Sequence, residues 1–346
     1  MKRYILALLL LFSFLISCGT KTSSSSKKIR VGTMVNTVAL PIAYALEKGM
    51  YSNEGIEIEI LTFASGAPIN EAFAAGEVDI AASGLASVFA LAQGNAKWIG
   101  EVNTTGGMGI FVRKDSPIAK EVGKVSGSPN ILGSAETVKG LNILGPLGTT
   151  AQFNAIGYAK KFGLGGNDIK MIHMDNGPAY QAFIAGEGDA IAASPPHSFQ
   201  ARDAGYVLAA TYEDATDVVS MDGIYVGTKF LEDRRDDVVK FIRATFKASE
   251  ILSDYQTRYD FEKDWFERNG RVYDDKTLDN DIKYKVYVTP AMMQEETYIF
   301  GDGMTGTAQF FYEDNKISKD TLPNVQKSYD VSVIKEALGI DVKVDQ

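Results

Sequence analysis

The 346-residue chain contains one cysteine, two histidines and two tryptophans. A single thiol builds no disulfide framework and no cysteine-based metal site. His173 and His197 have no partner ligands at metal spacing, so no metal or other cofactor is expected. His173 falls inside an expected strand and reads as structural, whereas His197, after Pro195-Pro196, is placed to touch a ligand. No G-x-S-x-G elbow occurs, so a serine hydrolase of that type is not indicated. Gly145–Thr150 (GPLGTT) lacks the Gly-Lys-Ser/Thr of a phosphate loop, which argues against nucleotide hydrolysis. Lys and Arg number 35 against 44 Asp and Glu, net −9, and no basic cluster appears. That balance excludes a nucleic-acid partner. Beyond the first 17 residues no apolar run is long enough to cross a membrane. The folded body shows no short-period repeat. Binding, not catalysis, is the expectation.

The amino end is informative. Lys2 and Arg3 precede an apolar run, Tyr4 to Ile16, too short to span a bilayer comfortably and shaped like a secretory leader. Leu15-Ile16-Ser17-Cys18 resembles the lipobox of bacterial lipoproteins. The resemblance implies a signal peptide over 1–17, cleavage before Cys18, and acylation of its thiol by membrane lipid. Residues 18–28, with the polar run Thr20–Lys28, then form a flexible tether. The plainer alternative is a soluble secreted protein carrying a stray cysteine.

One stretch is used twice. Residues 65–84 (SGAPINEAFAAGEVDIAASG) match residues 175–194 (DNGPAYQAFIAGEGDAIAAS) at an offset of 110. Pro68 and Pro178 suit the first turn of a helix, where a missing N–H costs nothing. A helix is expected over 70–75 and 180–185, stopped at Gly76 and Gly186 in the left-handed conformation. The apolar runs Val78–Ala82 and Ala190–Ala193 lack polar alternation, as strands buried on both faces do. Gly76, Gly186, Asp79 and Asp189 lie behind the strand tips and read as scaffold.

Around these units the chain alternates strand and helix. Ile29–Thr33, Gly55–Phe63 and Val78–Ala82 read as strands of one parallel sheet with right-handed crossovers. Residues 97–113 are strand-rich with a Gly106-Gly107 break, where a first crossing between lobes is expected. Leu141–Leu144, Ile169–Met174, Ala190–Ala193 and Val207–Thr211 build a second sheet, and Asp222–Val226 returns to the first. The expected division is 29–112 with 222–346 for lobe 1 and 113–221 for lobe 2. From Leu231 onward, charged helices are expected on the outside of the lobes as a solvated face.

The order of these elements resembles the substrate-binding proteins of bacterial ABC importers, nearest the nitrate/sulfonate/taurine and thiamine-precursor type. The resemblance rests on Ile42–Gly49 (IAYALEKG), Gly55–Ile60, Ser65-Gly66, Ala72–Asp79, Ser83-Gly84, Lys139–Thr150 (KGLNILGPLGTT) and Ala182–Asp189. It implies an α/β, two-lobed periplasmic-binding-protein type II fold, each lobe a mainly parallel sheet flanked by helices. It further implies a lipid-anchored extracytoplasmic monomer that captures a small molecule and docks on an ABC permease and its ATPase.

Ligands of open α/β sheets sit at the carboxyl ends of the strands. In lobe 1 those corners hold Met34, Asn36, Thr37, Ser65, Gly66, Ser83, Gly84 and Leu85. In lobe 2 they hold Gly148, Thr149, Thr150, Asp175, Asn176, Pro195 and His197. Gly148–Thr150 opens a helix whose free N–H groups favour an anionic group, although Thr149 or Thr150 also serves as an ordinary N-cap. The corners contain no Arg or Lys. Asp175, Asn36, Asn176 and Tyr180 equally suit a neutral or cationic ligand such as a pyrimidine. Ligand charge stays open, as does import against a sensing receptor with a membrane signalling partner.

Overall fold

The computed structural model describes residues 28–218 and 220–345. The leader read at 1–17, Cys18 and nearly all of the tether lie outside the described residues. Ten strands form two five-stranded sheets. They are β1 Ile29–Met34, β2 Ile58–Phe63, β3 Ile80–Ser83, β4 Ala96–Thr104, β5 Gly109–Val112, β6 Asn142–Gly145, β7 Lys170–His173, β8 Ala190–Ala193, β9 Val207–Thr211 and β10 Met221–Gly227. The first sheet runs β2-β1-β3-β10-β4 and the second β7-β6-β8-β5-β9.

The two orders superpose as one plan. In each, three strands are parallel, and the fourth is antiparallel to both its neighbours. That antiparallel strand is the one beside the crossing: β10 returns from the second sheet, and β5 enters it. The duplication legible at 65–84 and 175–194 therefore extends to whole sheets. β3 (IAAS) and β8 (AIAA) are buried throughout. Their small side chains let helices approach both faces closely.

The repeated acids are scaffold. Asp79 accepts from the Arg30 backbone N–H at 2.9 Å and from the Arg30 guanidinium at 2.6 and 3.0 Å. Asp189 accepts from the Asn142 N–H at 2.8 Å and its side-chain amide at 2.9 Å. Each clamps the start of a central strand to its neighbour. Gly76 (φ 72°) and Gly186 (φ 99°) end the preceding helices in the left-handed region, where glycine pays no Cβ penalty.

Three expectations change. β5 pairs with β8 and β9, and its apolar residues are fully buried there, so the boundary expected at 112/113 moves back to the crossing at 105–108. β2 begins at Ile58 instead of Gly55. The duplicated helices span Gly66–Ala74 and Asn176–Ile184, starting four residues earlier than expected. Pro68 and Pro178 still sit in the first turn, but the helix N-termini now reach the strand tips.

The tail is not only an outer coat. Helix Arg235–Ile251 packs its apolar stripe on the first sheet, with Phe241, Ile242 and Phe246 fully buried. Residues 284–288, however, run beside the crossing. Val288 N–H donates to Val102 O at 2.8 Å, and Thr104 N–H to Val286 O at 2.9 Å. Elsewhere the tail touches the second lobe: Tyr284 stacks on Phe199 at 5.6 Å, and Phe310 meets Phe153 edge-on at 4.2 Å.

Candidate functional site

A cavity of about 740 Å³, mouth included, lies between the two sheets at the carboxyl ends of their parallel strands. Of the residues expected to bind, Met34, Asn36, Ser65, Gly66, Gly84, Thr149, Thr150, Asn176 and Pro195 line it. Both halves of the chain contribute.

Three helix N-termini converge on it. Helices Gly66–Ala74, Thr150–Lys160 and Asn176–Ile184 carry no acidic residue in their first turns. First-turn amides have no intrahelical acceptor, and the helix dipole adds partial positive charge. Thr149 is spent as an N-cap: its hydroxyl accepts from Ala151 N–H at 3.2 Å and donates to Pro146 O at 2.8 Å. Thr150 keeps its hydroxyl for the cavity.

The lobes meet around this space. A Cβ on Gly84 would lie 2.7 Å from Asp222 Oδ1 and 3.4 Å from Thr150 Oγ1 of the opposite lobe. A Cβ on Gly148 would come within 3.9 Å of Ala67. Glycine at position 84 is what lets the walls approach so closely. The two crossings are tied at the back, where Thr105 donates through N–H (3.1 Å) and Oγ1 (3.0 Å) to Ser220 O, and Tyr212 N–H donates to Met108 O (3.1 Å).

Six expected residues stand elsewhere. Thr37 is buried and donates to Asp281 Oδ2 at 2.6 Å. Ser83 is buried against the Ser87 hydroxyl at 2.9 Å, and Leu85 packs into the core. Gly148 donates its N–H to Gln152 Oε1 at 2.8 Å. Asp175 and His197 line a second, wider recess that shares Ala64, Asn176, Pro195 and Arg271 with the cavity. His197 lies 5.1 Å from the Tyr180 ring in a stacked arrangement, with Nδ1 2.9 Å from Gln200 Oε1, and burial holds its imidazole below the usual range. His173 ends β7 on the surface and accepts from Leu147 N–H at 3.1 Å.

The charged groups of the cavity were not foreseen. Arg271 and Lys285 come from the tail, and Asp222 is the second residue of β10. The corners themselves hold no Arg or Lys, and these cations reach the cavity from outside them. Asp222 had a faint signal, an acid near the start of an otherwise apolar strand. Arg271 and Lys285 had none, because each looks like any solvated cation of a helical tail. Asp222 Oδ2 accepts from Asn103 Nδ2 at 3.0 Å, and Oδ1 faces Gly84. Burial pushes its carboxyl up to about 6, with Lys285 and Asn103 pulling it down and Asp281 pushing it further up. Lys285 Nζ stands 3.0 Å from Asp281 Oδ1 and donates to Thr37 Oγ1 at 3.2 Å.

No group of three or more His, Cys, Asp or Glu among the described residues is arranged to hold a metal ion. No described helix is long and apolar enough to cross a membrane.

Comparison with known proteins agrees with this architecture. Over 96% of its length the chain is 29% identical to a putative ABC transporter periplasmic binding protein of Brachyspira hyodysenteriae, covering 97% of that protein. Over 98% of its length it is 26% identical to a putative aliphatic sulfonates-binding protein of Bacillus subtilis, again covering 97%. Among solved structures, the alkanesulfonate-binding protein of Xanthomonas axonopodis pv. citri, bound to MOPS, has the same fold with a TM-score of 0.67. There the identity is 18%, with 87% of this chain and 97% of that one covered. The model of the NMT1-like family matches residues 22–263, well over half of the chain, and this protein therefore belongs to the NMT1-like family.

Proposed function

We propose that the protein is an extracytoplasmic solute-binding monomer that captures a small anion between its lobes and hands it to an ABC permease and its ATPase. The observation that carries this reading is the convergence of three helix N-termini, Arg271 and Lys285 on one cavity built by both lobes. Free amides and fixed cations together favour negative charge, and enclosure from both sides strengthens each contact. The sulfonate-binding relatives lend the ligand class its first candidates. Capture between two lobes also supplies the signal, since a closed form presents one continuous surface to a partner. The Leu15-Ile16-Ser17-Cys18 motif supports an acylated Cys18 as the membrane anchor. Binding is assigned here instead of catalysis, because neither histidine stands beside a nucleophile.

The test is thermal unfolding with ethanesulfonate or nitrate, beside a pyrimidine and an amidine. A ligand at a hundredfold excess over Kd should stabilise by about 2.7 kcal/mol and raise Tm accordingly. A shift with the pyrimidine or amidine alone would sink the anionic reading. The intact mass of the membrane-extracted protein checks the anchor: a chain still beginning at Met1, without added lipid, would dismiss it.

Asp222 supplies a second, sharper check. As pH falls through about 6, its carboxylate gains a proton and the cavity loses a negative charge. Affinity for an anion of fixed charge should therefore rise between pH 7 and pH 5. Asp222→Asn should bind that anion more tightly at pH 7 and show a flat profile by titration calorimetry. An ammonium-bearing ligand would give the opposite slope, which separates the two ligand classes left open by sequence.

A further inference from the structure

The cavity has a neighbour. Ala64, Asn176, Pro195 and Arg271 line both the cavity and the wider recess beside it. These four belong to separate stretches of chain, so the two spaces abut along single residues. One wall of the recess is the connection Gly270–Tyr273, between helices Tyr255–Arg268 and Asp275–Tyr284. Pro178, Pro196 and Val272 give the recess apolar surface, and Asp175 and His197 give it polar points. The Asp175 carboxylate makes no cap hydrogen bond to its helix, and no other hydrogen bond among the described residues. His197 uses Nδ1 on Gln200 and stacks on Tyr180, which fixes the ring and leaves Nε2 without a hydrogen-bond partner among the described residues. A Cβ on Gly177, another lining residue, would lie 3.8 Å from Nε2. Apolar lining with a few convergent polar groups is the make-up of a ligand pocket.

We propose that the recess is a second subsite of the same binding site, and that the ligand is an anion carrying a ring-sized substituent. The anionic head fills the cavity, and the substituent passes Arg271 into the recess. Arg271, which lines both spaces, then belongs to both subsites. The polar points narrow the substituent. Asp175 accepts, and His197 Nε2 donates or accepts according to its tautomer, so a saturated ring with one nitrogen or oxygen satisfies them. A purely hydrocarbon ring would cover the prolines but cut both polar groups off from water, which costs affinity.

This inference rests on the anionic reading above and deepens it. Its test uses two ligands that differ by one ring, ethanesulfonate and morpholinoethanesulfonate, titrated at one fixed pH. Wild-type protein should bind the ring-bearing sulfonate at least about tenfold tighter, the yield of burying roughly two methylene groups. Gly177→Leu plugs the recess: its Cβ meets only His197 Nε2, at 3.8 Å, an ordinary contact, and the remaining carbons extend into the recess. Gly177 does not line the cavity. The variant should lose the advantage of the ring and bind ethanesulfonate within about twofold of wild type. Gly177→Ala, which adds the Cβ alone, should keep both affinities. Saturation-transfer NMR on the wild type is a readout free of any variant: the morpholine protons should be saturated as strongly as the ethyl protons. Equal wild-type affinities for the two sulfonates, or ring protons much more weakly saturated, would overturn the subsite and leave the anionic reading standing. So would a Gly177→Leu protein that keeps the advantage of the ring. If neither sulfonate binds the wild type, the anionic reading fails and takes this one with it.

Discussion

Lys285→Met should abolish useful anion binding, lowering affinity by at least about 30-fold, or about 2 kcal/mol. The ammonium lies 3.0 Å from Asp281 Oδ1 on a side chain that is only 10% exposed, and Lys285 lines the cavity. Methionine keeps the length of the stem but offers neither charge nor donor. Breaking a buried pair from one side also strands the other partner, a loss of about 3–5 kcal/mol in favourable cases. Urea unfolding should therefore show a lower midpoint at unchanged slope. The Lys285→Met/Asp281→Asn double variant separates the two losses. Its stability should recover, because no unpaired charge is left buried, while ethanesulfonate affinity stays low. If the double variant regained affinity as well, Lys285 would be acting through folding alone.

Gly106→Ala should be the most disruptive single methyl in the molecule's hinge. The added Cβ would stand 2.1 Å from the Tyr284 carbonyl oxygen and 3.1 Å from its carbon, both backbone atoms. Neither neighbour yields by rotating a side chain. Residues 284–288 are held beside β4 by the Val288 to Val102 and Thr104 to Val286 hydrogen bonds, so relief means displacing that whole run. Lys285 moves with it. A loss of about 3 kcal/mol or more in stability is expected, at the upper end for overpacking, together with lost ligand binding. Gly55→Ala is the control: Gly55 has φ 76° with nothing within 4 Å of the added carbon. It should cost only the left-handed backbone penalty, about 1–2 kcal/mol, and leave affinity unchanged. Equal losses for the two variants in both measurements would remove the hinge argument.

The comparison of Asp79 with Asp222 shows where sequence reading succeeds. Asp79 belongs to a repeated local unit, and its partner Arg30 is in the strand beside it. A scaffold role could be read from the repetition alone. Asp222 also lies near the start of a strand, but its meaning depends on Asn103, Gly84 and Lys285, drawn from three separate stretches. Thr149 lies between these cases. Its N-cap was readable from helix chemistry, and the cap turned out to occupy the hydroxyl once offered to a ligand. Thr37 failed for a different reason: its corner faces inward, toward Asp281, a residue 244 positions away.

What the amino-acid sequence determined by itself was local and repetitive. Buried runs of small apolar residues set the central strands, glycines able to take positive φ ended the helices, and the duplicated unit announced two lobes of one plan. These follow from short-range sterics and from hydrophobic period, which neighbours in the chain already decide. Tertiary structure alone decided the electrostatics of the cavity. An ion pair carries no periodic signal. A lysine that reads as solvated comes to line a cavity only when folding buries it, and burial is set by what packs around it. Arg271, Lys285 and the carboxyls behind them acquire their chemistry from the packing of the tail against the first lobe and the crossing.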